Sequence, residues 1–590
     1  MPRSSHTGLS RLLPYAGMQR GRLGLIVTLA ALSAAAPVAG WHLVGRAIDE
    51  GVGAGDEGHL ALIVLGYIGV NAAAWILGSA TWLGLASVGQ RIVLELRRDL
   101  FEHLTSLSLR YFSQQKAGWI IARLTSDVDA LSDVLNQGLT TLVVNTLTLV
   151  AAVAGLFLLD WRLGLVALCV LPPGIVVTRW FQRRSHVAFT EVRTRISSVT
   201  AQLAESVSGM AVIQAFNRER AFQAEFDGLN EANRKANVYA QKLSSVFFPA
   251  IELLGVVAMV AVLYAGSQLI GGGSMEIGTL IAAVGLLNLV FQPLQELSEL
   301  YGQVQAANAA MDKISSVVDA EIDIADAPGA RSLGRIDGRL ELDKVTFAYG
   351  AEPVLHSIEI SVPAGGCIAL VGESGGGKST LAKLIARFYD PDEGAVRVDG
   401  TDLREIELGS YRRQLGVVLQ DPFLFSGTIA DNIRFAKPDA SDEEVRAAAD
   451  AISVDRVAAR LELGLQHVVR EGGAGLSAGE RQLISIARAL LADPRILILD
   501  EATSNIDRPT EILIERAFDR LLAGRTSIII AHRLATVRRA DEILVVEHGR
   551  IVQRGTEREL LDQDGPFRRL AHGLASDTLA ASESAASSAS

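Results

Sequence analysis

Three short stretches of this sequence put phosphate-handling residue types where a fold could use them. The first is Gly372-Glu373-Ser374-Gly375-Gly376-Gly377-Lys378-Ser379-Thr380, which follows the apolar run Cys367–Val371 and precedes a helical pattern over 381–388. The spacing G-x-x-x-x-G-K-[ST] between a strand and a helix is that of a phosphate loop. Its glycines let successive backbone N–H groups turn inward around an anion at the positive end of a helix. In that setting Lys378 places its charge on the β- and γ-phosphates of a nucleotide, and the Ser379 hydroxyl holds Mg²⁺.

The second stretch is Ile496-Leu497-Ile498-Leu499, which ends in Asp500-Glu501. A strand buried on both faces that ends in two acids is costly unless a metal or substrate sits there. Asp500 suits the Mg²⁺ shell and Glu501 suits general base toward an attacking water. The third is Ser527-Ile528-Ile529-Ile530, followed by Ala531-His532. A single histidine after a strand is more often structural. Here three strands deliver polar groups at their carboxyl ends, where open α/β sheets bind ligands, and His532 is placed to sense or stabilise the γ-phosphate.

These residues need a soluble α/β domain, yet the chain as a whole is apolar. Hydrophobic residues make up 49% of its 590 positions and charged ones 21%, which points to a lipid-embedded part joined to a water-soluble one. Cys169 and Cys367 lie far apart, which excludes a disulfide scaffold or a cysteine metal site as the organising principle. The net charge of -11 argues against a partner made of nucleic acid.

Six runs, at 23–44, 60–88, 139–159, 163–177, 247–270 and 277–294, are apolar enough to cross a bilayer. The first is longer than the apolar part of a signal peptide and reads as a retained anchor. Lysine and arginine gather in the N-terminal segment and in the connections 91–138 and 178–246, so the N- and C-termini are expected in the cytoplasm. Those two connections have few helix breakers and read as helices reaching far into the cytoplasm, with tips near 112–116 and 214–218. The expected division is an N-terminal cytoplasmic segment 1–22, a six-span domain 23–319, a linker 320–338, a nucleotide-binding domain 339–575 and a disordered Ala/Ser-rich tail 576–590.

Leu476-Ser477-Ala478-Gly479-Glu480-Arg481-Gln482 resembles the signature motif of one phosphate-loop family, found in no other phosphate-loop class. With it the chain resembles an ATP-binding cassette (ABC) transporter, a half-transporter of the exporter type, over nearly its whole length. The motif departs from the commonest form, LSGGQ, at Ala478 and Glu480, while Ser477 and Gly479 are retained. The resemblance implies that Ser477 and Gly479 contact the γ-phosphate bound by an opposite subunit. It also implies that Tyr349 stacks on adenine, that Gln420 reaches Mg²⁺ and the water, and that Asp507 belongs to a loop exchanged between two nucleotide domains. The implied fold is a multidomain membrane protein: a six-helix transmembrane domain with long cytoplasmic extensions, then an α/β phosphate-loop ATPase domain.

The implied activity is ATP-driven export, or leaflet translocation, of amphipathic or hydrophobic compounds by a dimer, with ATP and Mg²⁺ as cofactors. The alternative is a membrane-anchored ATPase that regulates a partner without moving a substrate. The second half-transporter could be another copy or a related chain, the membrane is expected to be the bacterial cytoplasmic one, and the substrate would be a small molecule or lipid. Within the spans Glu252 is the only acid well inside an apolar run, accompanied by His42, Asn71, Asn145 and Asn288.

Overall fold

The computed structural model describes residues 8–53, 55–500, 506, 508–531 and 533–571. The chain divides into two compact units, residues 8–106 with 115–320, and residues 107–114 with 321–571.

Six helical stretches among the described residues of the first unit are long and apolar enough to cross a membrane: Arg20–Val52, Glu57–Ser106, Ala117–Leu159, Trp161–Ser208, Glu219–Gly271 and Ile277–Val318. Each contains one of the six apolar runs. A helix satisfies its own backbone polar groups, which is why such runs fold this way in lipid. The Glu57–Ser106 helix has 50 residues and so measures about 75 Å, more than twice a hydrocarbon core. The turn at Asp160 is capped locally, since its carboxylate accepts from the Arg162 backbone N–H at 2.7 Å. Small residues let the helices approach: a Cβ on Gly278 would lie 2.0 Å from the Gly45 carbonyl oxygen, and one on Gly285 would lie 2.1 Å from the Trp41 ring. The two long pairs turn through short helices, Leu109–Gln114 and Met210–Ala215.

Among its described residues the second unit has three sheets. Strands β1 (Leu340–Ala348), β2 (Pro353–Val362), β4 (Glu393–Val398) and β5 (Thr401–Asp402) form an antiparallel sheet in the order β2-β1-β4-β5. Six more strands are β3 (Cys367–Val371), β6 (Leu415–Val418), β9 (Ile496–Asp500), β10 (Thr526–Ile530), β11 (Glu542–Glu547) and β12 (Arg550–Gly555), ordered β12-β11-β3-β10-β9-β6. Strands β7 (Gly427–Thr428) and β8 (Val468–Val469) pair with each other. In the six-stranded sheet all neighbours are parallel except β11 and β12. Its central strands are buried along almost their whole length, as a sheet covered on both faces requires. One face packs against the helices Ala478–Leu491 and Arg508–Leu522, the other against Lys378–Ile385 and the antiparallel sheet.

The short helix Leu109–Gln114 belongs to this second unit. Ser108 Oγ donates to Asp323 Oδ2 at 3.0 Å, and the Arg110 guanidinium lies 5.8 Å from the Tyr389 ring centroid. Residues 321–338 also run along it: Asp326 accepts from the Leu408 N–H at 2.7 Å, and Arg331 exchanges backbone hydrogen bonds of 2.9 Å with Glu405 and Glu407.

Candidate nucleotide site

The loop after β3 can be formed only by glycine at its tightest points. Gly372 has φ 145°, and a Cβ there would lie 2.1 Å from the Val546 carbonyl oxygen. Gly377, at φ 106°, is the N-cap of the helix Lys378–Ile385. Lys378 is buried, and its Nζ donates to the carbonyls of Gly372 at 2.7 Å and Glu373 at 2.8 Å. The ammonium is thus held by the loop itself. Burial pushes its pKa below the usual lysine range, and the Asp500 carboxylate opposes that shift. A glycine-only cradle, a buried ammonium and a helix N-terminus together fit a phosphate chain.

Within that loop Glu373, Ser374 and Gly375 are exposed, Gly376 is buried, and Ser379 is exposed in the first turn of the helix. The next residue, Thr380, is buried and receives a 3.2 Å hydrogen bond from the Tyr349 hydroxyl. The Tyr349 ring meets Phe347 and Tyr389 edge-on, with centroids 5.0 and 5.2 Å away, and is partly exposed.

Sheet register brings further candidates to the same edge. Leu370 of β3 pairs with Ile530 of β10, Ile530 with Asp500 of β9, and Leu499 with Val418 of β6. Asp500 therefore ends β9 level with the start of the loop, and Gln420 follows two residues after β6, exposed. The Ser379 hydroxyl, Gln420 amide oxygen and Asp500 carboxylate are hard oxygen donors of the kind Mg²⁺ takes. Glu501, Asp507 and His532 lie outside the described residues.

Ser477 is the N-cap of the helix Ala478–Leu491. Its Oγ accepts from the Glu480 N–H at 3.2 Å, and Glu480 Oε2 accepts from the Ser477 N–H at 2.8 Å. Glu480, one of the two departures from the commonest motif, thus closes a capping box, a pattern legible as Ser-x-x-Glu in the sequence. Its other oxygen pairs with Arg460 at 3.1 Å, a partner that no spacing reveals. Gly479 is buried, and a Cβ there would lie 2.4 Å from Thr510 Cγ2 and 3.0 Å from Ile506 Cγ2.

The family model of the ABC transporter transmembrane region matches residues 23–294, and the ABC transporter model matches 355–504. A fatty acid ABC transporter ATP-binding/permease protein of Mycobacterium bovis is 38% identical over 89% of this chain and 82% of its own length. The chain belongs to the ABC transporter family. An ATP-dependent lipid A-core flippase of Syntrophus aciditrophicus is 36% identical over 82% of this chain and 81% of its own. The solved structure of a bacterial Atm1-family ABC exporter with ATP bound is 28% identical and superposes with a TM-score of 0.78, covering 94% of this chain and 98% of that one.

This ABC transporter chain is a multi-pass membrane protein with an ATP-binding cassette. Among the described residues, apolar side chains are exposed outside the spans as well. Val212 and Phe216 are exposed at the second helical turn of the first unit. On the second unit Phe423, Phe425 and Phe435 form an exposed aromatic cluster, with Phe425 stacked on Phe435 at 4.6 Å. Arg488 braces that cluster by donating to the Asn432 backbone oxygen at 2.8 Å and to Asn432 Oδ1 at 2.9 Å. In the spans, Glu252 is exposed, while a second acid, Glu296, joins two helices: Asn145 donates to its Oε2 at 2.7 Å.

Proposed function

We propose that this chain is one half of an ATP-driven exporter that moves hydrophobic or amphipathic compounds, lipids included, across the cytoplasmic membrane or between its leaflets. The observation that carries the reading is the membership of Leu109–Gln114 in the nucleotide unit. That helix lies between the second and third spans, and Arg110 sits over Tyr389, whose ring meets Tyr349, which in turn hydrogen-bonds Thr380 beside the phosphate loop. A merely anchored ATPase has no need to seat a helix from the connection between two spans within its nucleotide unit. The names of the fatty acid transporter and lipid flippase relatives support a lipid-like cargo.

In this reading the domains divide at 320–338, and both termini face the cytoplasm. The Tyr349 ring stacks on adenine. Lys378 and the N–H groups of Gly372–Thr380 bind the phosphates. Ser379, Gln420 and Asp500 hold Mg²⁺, which when bound neutralises charge on the phosphate oxygens. Glu501 takes the proton of the attacking water and His532 stabilises the departing γ-phosphate. Ser477, Gly479 and Asp507 complete the site of a second half-transporter, either this chain or a related one. Closure of the two halves over nucleotide then turns the cavity between the spans outward, and hydrolysis resets it.

The reading is tested by the hydrolysis rate of the chain in nanodiscs against a long-chain fatty acid, a phospholipid and a lipophilic dye, followed by ATP-dependent movement of the stimulating compound in proteoliposomes. Stimulation coupled to movement is expected. Hydrolysis indifferent to every compound, with none moved, would favour the regulatory ATPase instead.

A further inference from the structure

The sixth-span helix Ile277–Val318 carries Asn288, Gln292 and Glu296 at successive four-residue intervals, which places them on one face. Counting from Ile277, they lie about 16, 22 and 28 Å along the helix, from mid-membrane to the edge of the hydrocarbon core. The opposite side, with Leu286, Leu287 and Val290, is buried among the other spans. Asn288 and Gln292 are exposed and Glu296 is half-buried. The Glu296 carboxylate accepts one amide hydrogen bond on each oxygen, from Asn145 at 2.7 Å and from Gln292 at 3.0 Å.

These amides orient the carboxylate without neutralising it. Among the described residues no lysine, arginine or histidine pairs with Glu296. Several acids elsewhere on the same unit do have cationic partners: Glu50 with Arg46, Asp127 with Arg123 and Lys313, and Asp129 with Arg97. A polar stripe ending in an uncompensated carboxylate is expensive against lipid tails, so it belongs toward an enclosed, partly hydrated space. A bond from Asn145 alone would serve as glue between helices, and an amide in place of the acid would do as well. The charge is the part that glue does not explain.

We infer that Asn288, Gln292 and Glu296, with Asn145, form a substrate subsite for an amphipathic molecule bearing a cationic head group. The head group sits at Glu296 near the membrane edge, and the body of the molecule lies along the amides toward mid-membrane. This rests on the export reading and narrows its substrate class.

The test is equilibrium binding of tetraphenylphosphonium to the full chain in zwitterionic nanodiscs without nucleotide, beside neutral triphenylphosphine oxide. Glu296→Gln keeps a hydrogen-bonding partner for Asn145 and removes only the charge. It is expected to weaken the cation about tenfold, as loss of one charge contact in a low-dielectric site predicts, and to leave the neutral probe unchanged. Gln292→Lys, which puts a cation one turn from an intact Glu296, is expected to exclude tetraphenylphosphonium as well and decides the matter if the first variant does not fold. The proposal is overturned if the wild-type chain binds the cation no better than the neutral probe. It is equally overturned if both variants bind the cation like wild type, or if both probes weaken together. Because no nucleotide is present, these outcomes are independent of whether the chain hydrolyses ATP.

Discussion

Replacement of Lys378 by alanine is expected to abolish ATP hydrolysis and to weaken ATP binding by about a hundredfold, the scale of a charge-assisted contact to phosphate inside a closed site. The side chain is buried, and its Nζ is oriented by two loop carbonyls at 2.7 and 2.8 Å, so the ammonium is prepositioned and little entropy is lost when phosphate arrives. Alanine would also leave a cavity. Lys378→Met, which fills the space without the charge, separates the two effects, and the same loss is expected from it. Equilibrium binding of a fluorescent ATP analogue checks both variants. Near-normal binding by the methionine variant would show that the charge is not what holds the nucleotide.

Gly479→Ala is expected to have the second-largest effect, with a different signature. Its Cβ would lie 2.4 Å from Thr510 Cγ2, and threonine is stiff about χ1, so the start of the Ala478–Leu491 helix must move away from Arg508–Leu522. That shift displaces Ser477, whose Oγ is fixed at the N-cap. Nucleotide binding at the phosphate loop of the same chain should be retained. Hydrolysis should fall about a hundredfold, the usual consequence of losing a preorganised contact to the reacting phosphate. Parallel measurements of binding and turnover decide. A fall in both together would mean that the glycine serves only the fold of the nucleotide unit.

Much of this architecture was legible from local patterns. The phosphate loop is a contiguous motif whose strand and helix flank it directly. The membrane-length helices follow from apolar runs because a helix pairs its own backbone groups. Asp500 could be placed at a strand end because a continuous apolar run stopped there. What escaped were pairings through space. Glu296 lies just past the run that ends at Leu294, and its partner Asn145 is 151 residues away in sequence, so no local pattern marks the pair. The ion pair of Glu480 with Arg460 and the seat of Arg110 over Tyr389 likewise depend on how elements pack. The capping box of Ser477 and Glu480 is local, by contrast, and is legible as Ser-x-x-Glu at the start of a helix.

The most direct measurement is Mg-ATP hydrolysis by the purified chain in lipid nanodiscs, beside the Glu501→Gln variant. Removing a general base typically costs a factor of about 10² to 10⁴. Robust turnover in the wild type and its near-complete loss in the variant, with ATP binding kept, is the predicted result. Undiminished hydrolysis by Glu501→Gln would contradict the assignment of the base and with it the proposed catalytic cycle.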